Sequence, residues 1–211
     1  MYRHVLWDWN GTLLDDAWLS LEVINRMLGK RGLPEVDAEV YGQVFGFPLE
    51  RYCRRIGFDL ERESFTALSD QFSLLYEARR LECGLRAGAR SVLAAVTRLG
   101  VGQSVLSAYE QDALVSLVGH FGLSGFFAEV VGVDNQHGSG KVELGERWFR
   151  GSGWVAGEVI LVGDTLHDLE VAAAMGVDCA LIPSGHQHRH RLDGQGVAVL
   201  GELEDLLTLL A

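Results

Sequence analysis

The sequence predicts an α/β fold, a mostly parallel sheet covered by helices on both faces and interrupted once by a helical insert. Two observations predict it. Short apolar, β-branched runs recur at 5–7, 102–107, 129–133, 158–163, 178–183 and 197–200, with helical patterns between most of them. Strands that alternate with helices build parallel sheets buried on both sides. The second observation is a break in that alternation. From Asp15 to about Arg86 there is no convincing strand.

Taken in order, Val5-Leu6-Trp7 delivers the chain to Asp8, and a Gly-Thr turn follows. Ala17, Leu21, Ile24 and Leu28 then recur at helical spacing, as do Phe65, Leu68, Phe72 and Leu75. Gly29, Gly32 and Pro34 end the first of these helices. Gly46 with Pro48 starts another, because proline suits a first helical turn. Residues 15–86 are thus expected as a helical insert, with 1–14 and 87–211 as the core. The joints lie around Leu14–Asp16 and Glu82–Gly88. Beyond the insert, 88–99 place Leu93, Val96 and Leu99 on one face, and 109–120 place Leu114, Leu117 and Val118. Residues 166–175 and 202–210 read similarly.

A chain of 211 residues, 48% hydrophobic and 22% charged, can bury a sizeable core as one domain plus a small insert. No apolar run approaches the ~18 residues of a membrane span. The stretch MYRHVLWDWNG lacks the apolar region and small-residue cleavage site of a signal peptide, so a cytoplasmic location is expected. Cys53, Cys83 and Cys179 show no metal or redox spacing and are expected as buried thiols. The net charge of −11 argues against nucleic acid and disfavours acidic membranes. An anionic small substrate would need local positive charge from a metal or a few placed basic residues. The chain is expected to act as a monomer or homodimer.

In such a sheet, ligands bind outside the carboxyl ends of strands. Asp8, Ser107, Lys141 and the Asp164/Asp168 pair all follow strands and would converge there. Asp8 can attack phosphorus to form an aspartyl phosphate. Asp8 and Asp164 supply hard oxygens suited to Mg²⁺, and Asp168 would orient the water shell of the ion. Lys141 places a positive charge beside the nucleophile and phosphoryl oxygens. The Ser107 hydroxyl and neighbouring N–H groups can hold a phosphoryl oxygen.

These motifs resemble those of the haloacid dehalogenase superfamily, in the subgroup with a helical cap (C1) after the first strand. Asp8-Trp9-Asn10-Gly11-Thr12-Leu13 resembles its first motif, DxDGTL. Ser107 in VLSA resembles the second, Lys141 the third, and GDTLHDLEVAAAMG (163–176) the fourth. Val142 stands where a proline usually follows the lysine. The resemblance implies a Rossmann-like sheet of order 5-4-1-2-3 and a Mg²⁺-dependent phosphatase, similar to phosphoglycolate phosphatases, acting on a small phosphorylated metabolite. It implies Asp8, Asn10, Ser107 and Lys141 as catalytic residues. Asp8, Asn10 (through its carbonyl), Asp164 and Asp168 would hold the metal. Trp9, Thr12 and Ala108, with Phe47 and Arg51 of the cap segment GFPLERYCRR (46–55), would contact substrate.

Asn10 departs from the motif. Phosphatases of the superfamily carry an aspartate there that protonates the leaving oxygen and later activates water. Asn10 keeps the carbonyl but cannot transfer a proton. A general acid/base contributes roughly 10²–10⁴ in rate, so its loss should slow such an enzyme rather than abolish it. Three readings follow: a slow phosphatase of substrates whose leaving group needs no proton, such as acyl phosphates or activated esters; proton transfer by another group, with His137 and the His186/His188/His190 loop as candidates; or a pseudo-enzyme that binds a phosphorylated ligand. A phospho-acceptor signalling domain uses similar residues but lacks such an insert. GSGK (138–141) fails as a P-loop because position 135 is Asn and 142 is Val. HQHRH (186–190) is expected as a solvated loop near the site entrance rather than a metal site.

Overall fold

The computed structural model describes residues 1–134, 140–183 and 185–211. The first strand, β1 (His4–Trp7), is buried along its whole length. Its side chains alternate across the sheet. Val5 and Trp7 enter one apolar cluster and Leu6 enters the other. A strand covered on both faces reads as a near-continuous apolar run, which is why Val5-Leu6-Trp7 shows no polar alternation, and the buried His4 at its start is met by the Ser104 hydroxyl.

After β1 come β2 (Leu14–Asp15) and four helices: α1 (Ala17–Gly29), α2 (Ala38–Val44), α3 (Leu49–Arg55) and α4 (Phe65–Glu77). The chain returns through β3 (Gly84–Leu85), which pairs antiparallel with β2, so the two crossings between core and insert lie side by side. Ser64 caps α4 by accepting from the Ala67 N–H at 3.2 Å, and Asp37 caps α2 through Val40 N at 2.7 Å.

The core continues with α5 (Ala89–Arg98), β4 (Gly102–Glu110), α6 (Gln111–His120), β5 (Glu129–Val133) and α7 (Lys141–Ser152). Then follow β6 (Val159–Gly163), α8 (Leu166–Met175), β7 (Asp178–Leu181), α9 (Arg189–Leu192), β8 (Ala198–Val199) and α10 (Leu206–Leu210). The described residues form one six-stranded sheet of order β5-β4-β1-β6-β7-β8, with every pair parallel. This is the expected order seen from the opposite edge, with the run at 197–200 adding a strand beyond β7.

Several elements differ from expectation. Leu99 is exposed because α5 ends before it. The segment 202–210 splits into a 3₁₀ turn and the short α10. No helix was expected over 141–152. There Leu144 and Trp148 give a buried stripe diluted by Glu143, Glu146, Arg147 and Arg150, and Gly145 sits mid-helix. That glycine has a packing reason: a Cβ there would lie 3.0 Å from Val171 and 3.2 Å from Leu106. The cysteines are free and buried, as expected. No helix among the described residues is long and apolar enough to cross a membrane.

Candidate active site

Asp8 follows β1 directly. Its N–H continues the ladder to the Val162 carbonyl (2.9 Å), so the carboxylate emerges at the carboxyl end of the central strand. The turn behind it is tight: the N–H groups of Leu13 and Leu14 both reach the Trp9 carbonyl, at 3.0 and 2.9 Å. Gly11 sits at φ +74°, and a Cβ there would run into the Asp164 carboxylate. The glycine therefore lets the β1 turn approach the end of β6.

Four distant segments meet at Asp8. Lys141, the first residue of α7, is 3% exposed and places Nζ 2.5 Å from Asp8 Oδ1 and 2.5 Å from Asp168 Oδ1. Asp168 Oδ2 accepts from Thr165 N (3.0 Å) and Oγ1 (2.7 Å), which caps α8. Thr12 Oγ1 lies 3.3 Å from both Asp8 Oδ2 and Asp164 Oδ1. Asp164 Oδ2 accepts the His186 N–H. Ser107 is buried in β4 within its register shift, and its Oγ accepts the Tyr109 N–H at 3.1 Å.

The electrostatics of the cluster are unbalanced. Asp8, Asp164 and Asp168 bring carboxylate oxygens within 4.8 Å of one another, and all three are buried. Burial, with the charges of Asp168 and Asp164, pushes the Asp8 carboxyl up to about 8 against the pull of Lys141. Burial and Asp168 push Asp164 up to about 7. Burial would also raise Asp168, but the charge and hydrogen bond of Lys141, with Thr165, hold it below the usual carboxylate range. Burial works against the Lys141 ammonium, yet Asp168 and Asp8 hold it well above the ordinary lysine value. Three clustered hard oxygens with one ammonium between them fit a divalent cation, by donor type and by the positive charge they lack.

This imbalance predicts a pH-dependent stability. Carboxyls raised in the folded state contribute stability that is present below their ordinary range and is lost as pH rises through about 7 and 8. The lowered Asp168 acts only at more acidic pH, and the raised Lys141 only at more alkaline pH. In EDTA the melting temperature is expected to fall between about pH 5 and pH 8, with Mg²⁺ narrowing the difference. A melting temperature in EDTA that does not change over that interval would contradict the clustering.

Asn10 is held by groups the sequence did not single out. Its Nδ2 donates to Asp16 Oδ2 (2.8 Å) and to the Tyr76 hydroxyl (3.0 Å), which itself donates to Asp16 Oδ2 at 2.7 Å. The Gly11 N–H meets Asp16 Oδ1 at 2.7 Å. Asp16 is 1% exposed, and the second acid of an Asp-Asp pair in an expected joint was its only signal.

The expected solvated loop at 186–190 is corrected. His186 and Gln187 are buried. His186 Nδ1 lies 2.7 Å from the Tyr41 hydroxyl, and its ring stacks on Phe45 with centroids 4.8 Å apart. Gln187 accepts from Leu166 N at 3.0 Å and donates to the Phe45 carbonyl at 2.9 Å. Both residues thus tie insert to core. His188 is half-buried and His190 exposed. His137 lies outside the described residues.

A cavity of about 290 Å³ separates the carboxylate cluster from the insert; Asn10, Ala108 and Phe47 line it, with Asp8, Ser107, Lys141, Asp164 and Asp168 at its base. Three residues expected to touch substrate stand elsewhere. Trp9 is wholly buried against Phe121, because the pleat turns its side chain away from the cavity. Thr12 is wholly buried among the carboxylates. Arg51 is exposed on α3 and lines a separate cleft with Arg55 and Arg191.

The sequence profile of the haloacid dehalogenase-like hydrolases matches residues 5–182. A phosphoglycolate phosphatase of Pseudomonas putida is 24% identical over 218 residues, covering 99% of this chain and 78% of its own. Tyrosine-protein kinase PtkA of Mycobacterium tuberculosis is 24% identical over 199 residues, covering 93% of this chain and 67% of its own. Among solved structures, a predicted phosphatase from Clostridium acetobutylicum superposes with a TM-score of 0.84 at 20% identity, covering 100% of this chain and 98% of its own. The structure of PtkA gives a TM-score of 0.80 at 24% identity, with the same coverage. At these identities the structural likeness speaks to the fold, whereas the profile spans most of the chain and all four motif positions. The chain belongs to the haloacid dehalogenase-like hydrolase family.

Proposed function

We propose that the protein is a Mg²⁺-dependent phosphatase that hydrolyses a small phosphorylated metabolite through an aspartyl phosphate on Asp8. The observation that carries this reading is the Asp8 carboxylate, bound to Lys141 and facing a cavity whose base also holds Ser107, Asp164 and Asp168. Asp8, Asp164, Asp168 and the Asn10 carbonyl would hold the ion, which when bound supplies the positive charge that an anionic nucleophile needs beside a phosphate dianion. Lys141 neutralises the nucleophile and the phosphoryl oxygens. Ser107 donates to a phosphoryl oxygen. The insert excludes water while the phosphoryl group moves, as closing elements commonly do.

Phosphatase names among the relatives support hydrolysis. The name of the mycobacterial relative raises a kinase reading, but a nucleoside triphosphate calls for several cations. Lys141 is the only lysine or arginine lining the cavity among the described residues. A net charge of −11 keeps nucleic acid and acidic membranes unfavourable as partners, in line with a cytoplasmic enzyme. The test is a panel of phosphorylated metabolites assayed in Mg²⁺ and in EDTA, with acid-quenched enzyme searched for phosphoryl-Asp8. Metal-dependent release of phosphate and a labelled Asp8 peptide are expected. Turnover without such a label would place the nucleophile elsewhere.

The Asn10→Asp variant is expected to hydrolyse alkyl phosphates at least about tenfold faster, a part of the roughly 10²–10⁴ that a fully positioned general acid contributes. An aspartate at position 10 would face the Asp16 carboxylate where the amide now donates to it. Two carboxylates at that spacing share a proton, and a raised pKa is what an acid catalyst needs. Unchanged kcat on alkyl phosphates would assign the proton work to another group.

A further inference from the structure

The cavity above Asp8 is poorly suited to a second anion. Its walls are mainly apolar side chains of the insert, among them Phe45, Phe47, Leu68 and Phe72. The ammonium of Lys141 is already divided between Asp8 and Asp168. Among the described residues no arginine of the insert lines the cavity: Arg51 and Arg55 line the separate cleft, Arg79 pairs with Glu22 and Glu82, and Arg80 is paired with Glu77 at the cavity wall. Asp16, Glu77 and Glu110 line the cavity instead. A carboxylate or second phosphate on the leaving group would be desolvated here with no lysine or arginine beyond Lys141 among the described lining residues, and the two lining histidines are already held, His186 by Tyr41 and His167 by Glu170.

A second constraint acts on the leaving oxygen. Asp16 is an acceptor, so it fixes the Asn10 amide with Nδ2 toward itself and Tyr76. The Asn10 oxygen carries no proton to give, which favours a leaving group that can depart as an anion. A phenolate, whose conjugate acid has a pKa of about 10, does so far more readily than an alkoxide, whose conjugate acid is roughly as weak as water.

We propose that the substrate is a small, free aryl phosphate, with its ring among the aromatic side chains of the insert and its phosphoryl group on Asp8. This rests on the phosphatase reading above. An Asp8 oxygen bonds to phosphorus, and the aryl P–O bond breaks with its electron pair leaving on the phenolate. Water then attacks phosphorus and breaks the bond to Asp8. The products are phenol and hydrogen phosphate, the proton lost by water balancing the phenolate. Aromatic walls favour a flat ring through edge and offset contacts. A benzene ring fits an apolar cavity of about 150 Å³, so a volume near 290 Å³ holds one ring and a phosphoryl group.

The test compares wild-type enzyme with Mg²⁺ on phenyl phosphate, benzyl phosphate, phosphoglycolate and a phosphotyrosine peptide. Benzyl phosphate keeps the ring but must release an alkoxide. The expected kcat on phenyl phosphate is at least about tenfold above that on benzyl phosphate, at similar KM. The expected KM for phosphoglycolate is at least about tenfold higher than for either. Equal kcat on the phenyl and benzyl esters would overturn the leaving-group argument. Phosphoglycolate hydrolysed as efficiently as phenyl phosphate would overturn the aryl assignment while leaving the phosphatase reading intact. Faster turnover of the peptide would overturn the small-ligand assignment. No turnover of any ester, with no label on Asp8, would remove both readings.

Discussion

Asp8→Asn is expected to lower kcat by at least about 10⁴, comparable to losses on removing a catalytic group that acts as part of a unit. The amide is nearly isosteric and can still accept from Lys141, but it is no nucleophile toward phosphorus. The fold should survive and gain in one respect. In wild type, Asp8 is a carboxyl forced up to about 8 by burial and by its acidic neighbours. Replacing it removes a buried group that resists ionisation, so in EDTA near pH 8 the variant should melt no lower than wild type. Lys141 keeps Asp168 as a partner at 2.5 Å. Steady-state kinetics with paired thermal melts separate the two effects. A variant that retains substantial turnover would show that Asp8 is not the nucleophile.

Lys141→Met should damage both activity and stability. Nζ bridges two buried carboxylates, and the methionine chain is close in length but uncharged. Breaking a buried ion pair from one side typically costs about 3–5 kcal/mol, because the remaining charge stays buried without compensation. That cost should be larger near pH 8 in EDTA, where in wild type Asp164 and about half of Asp8 ionise beside Asp168. It should shrink near pH 5, where Asp8 and Asp164 hold protons. Mg²⁺ should recover part of the stability, since a cation can replace the missing charge, but not the activity. Urea denaturation at both pH values, with and without the ion, checks this. Unchanged stability at pH 8 would mean that the carboxylates do not depend on the ammonium.

Much of this architecture was legible before any contact was known. The unbroken apolar run before Asp8 marked a strand covered on both faces, and β1 is the central strand. The small-residue segment after Asp164 read as a helix, and Asp168 both caps α8 and meets Lys141. These features are local: a strand period, a turn that needs glycine, a capping acid. Segments that mixed signals were harder. In α7 two glycines and five charged residues hid a stripe of two large apolar side chains.

Other features depended on residues far apart in the chain. The motif placed Trp9 beside the nucleophile, yet its side chain points into the core. Arg51 had a plausible place over the crevice, yet it faces a cleft toward Arg191. Tyr76, 66 positions from Asn10, joins Asp16 in fixing that amide, and Tyr41, 145 positions from His186, draws that ring out of solvent. Periodicity and composition report that a face is buried, but not which groups lie across from it. The sequence alone therefore determined the sheet, the interruption and the acids at the strand ends. Packing of the insert onto the core decided what surrounds Asn10 and how apolar the cavity is, because those contacts arise only when distant segments share one volume.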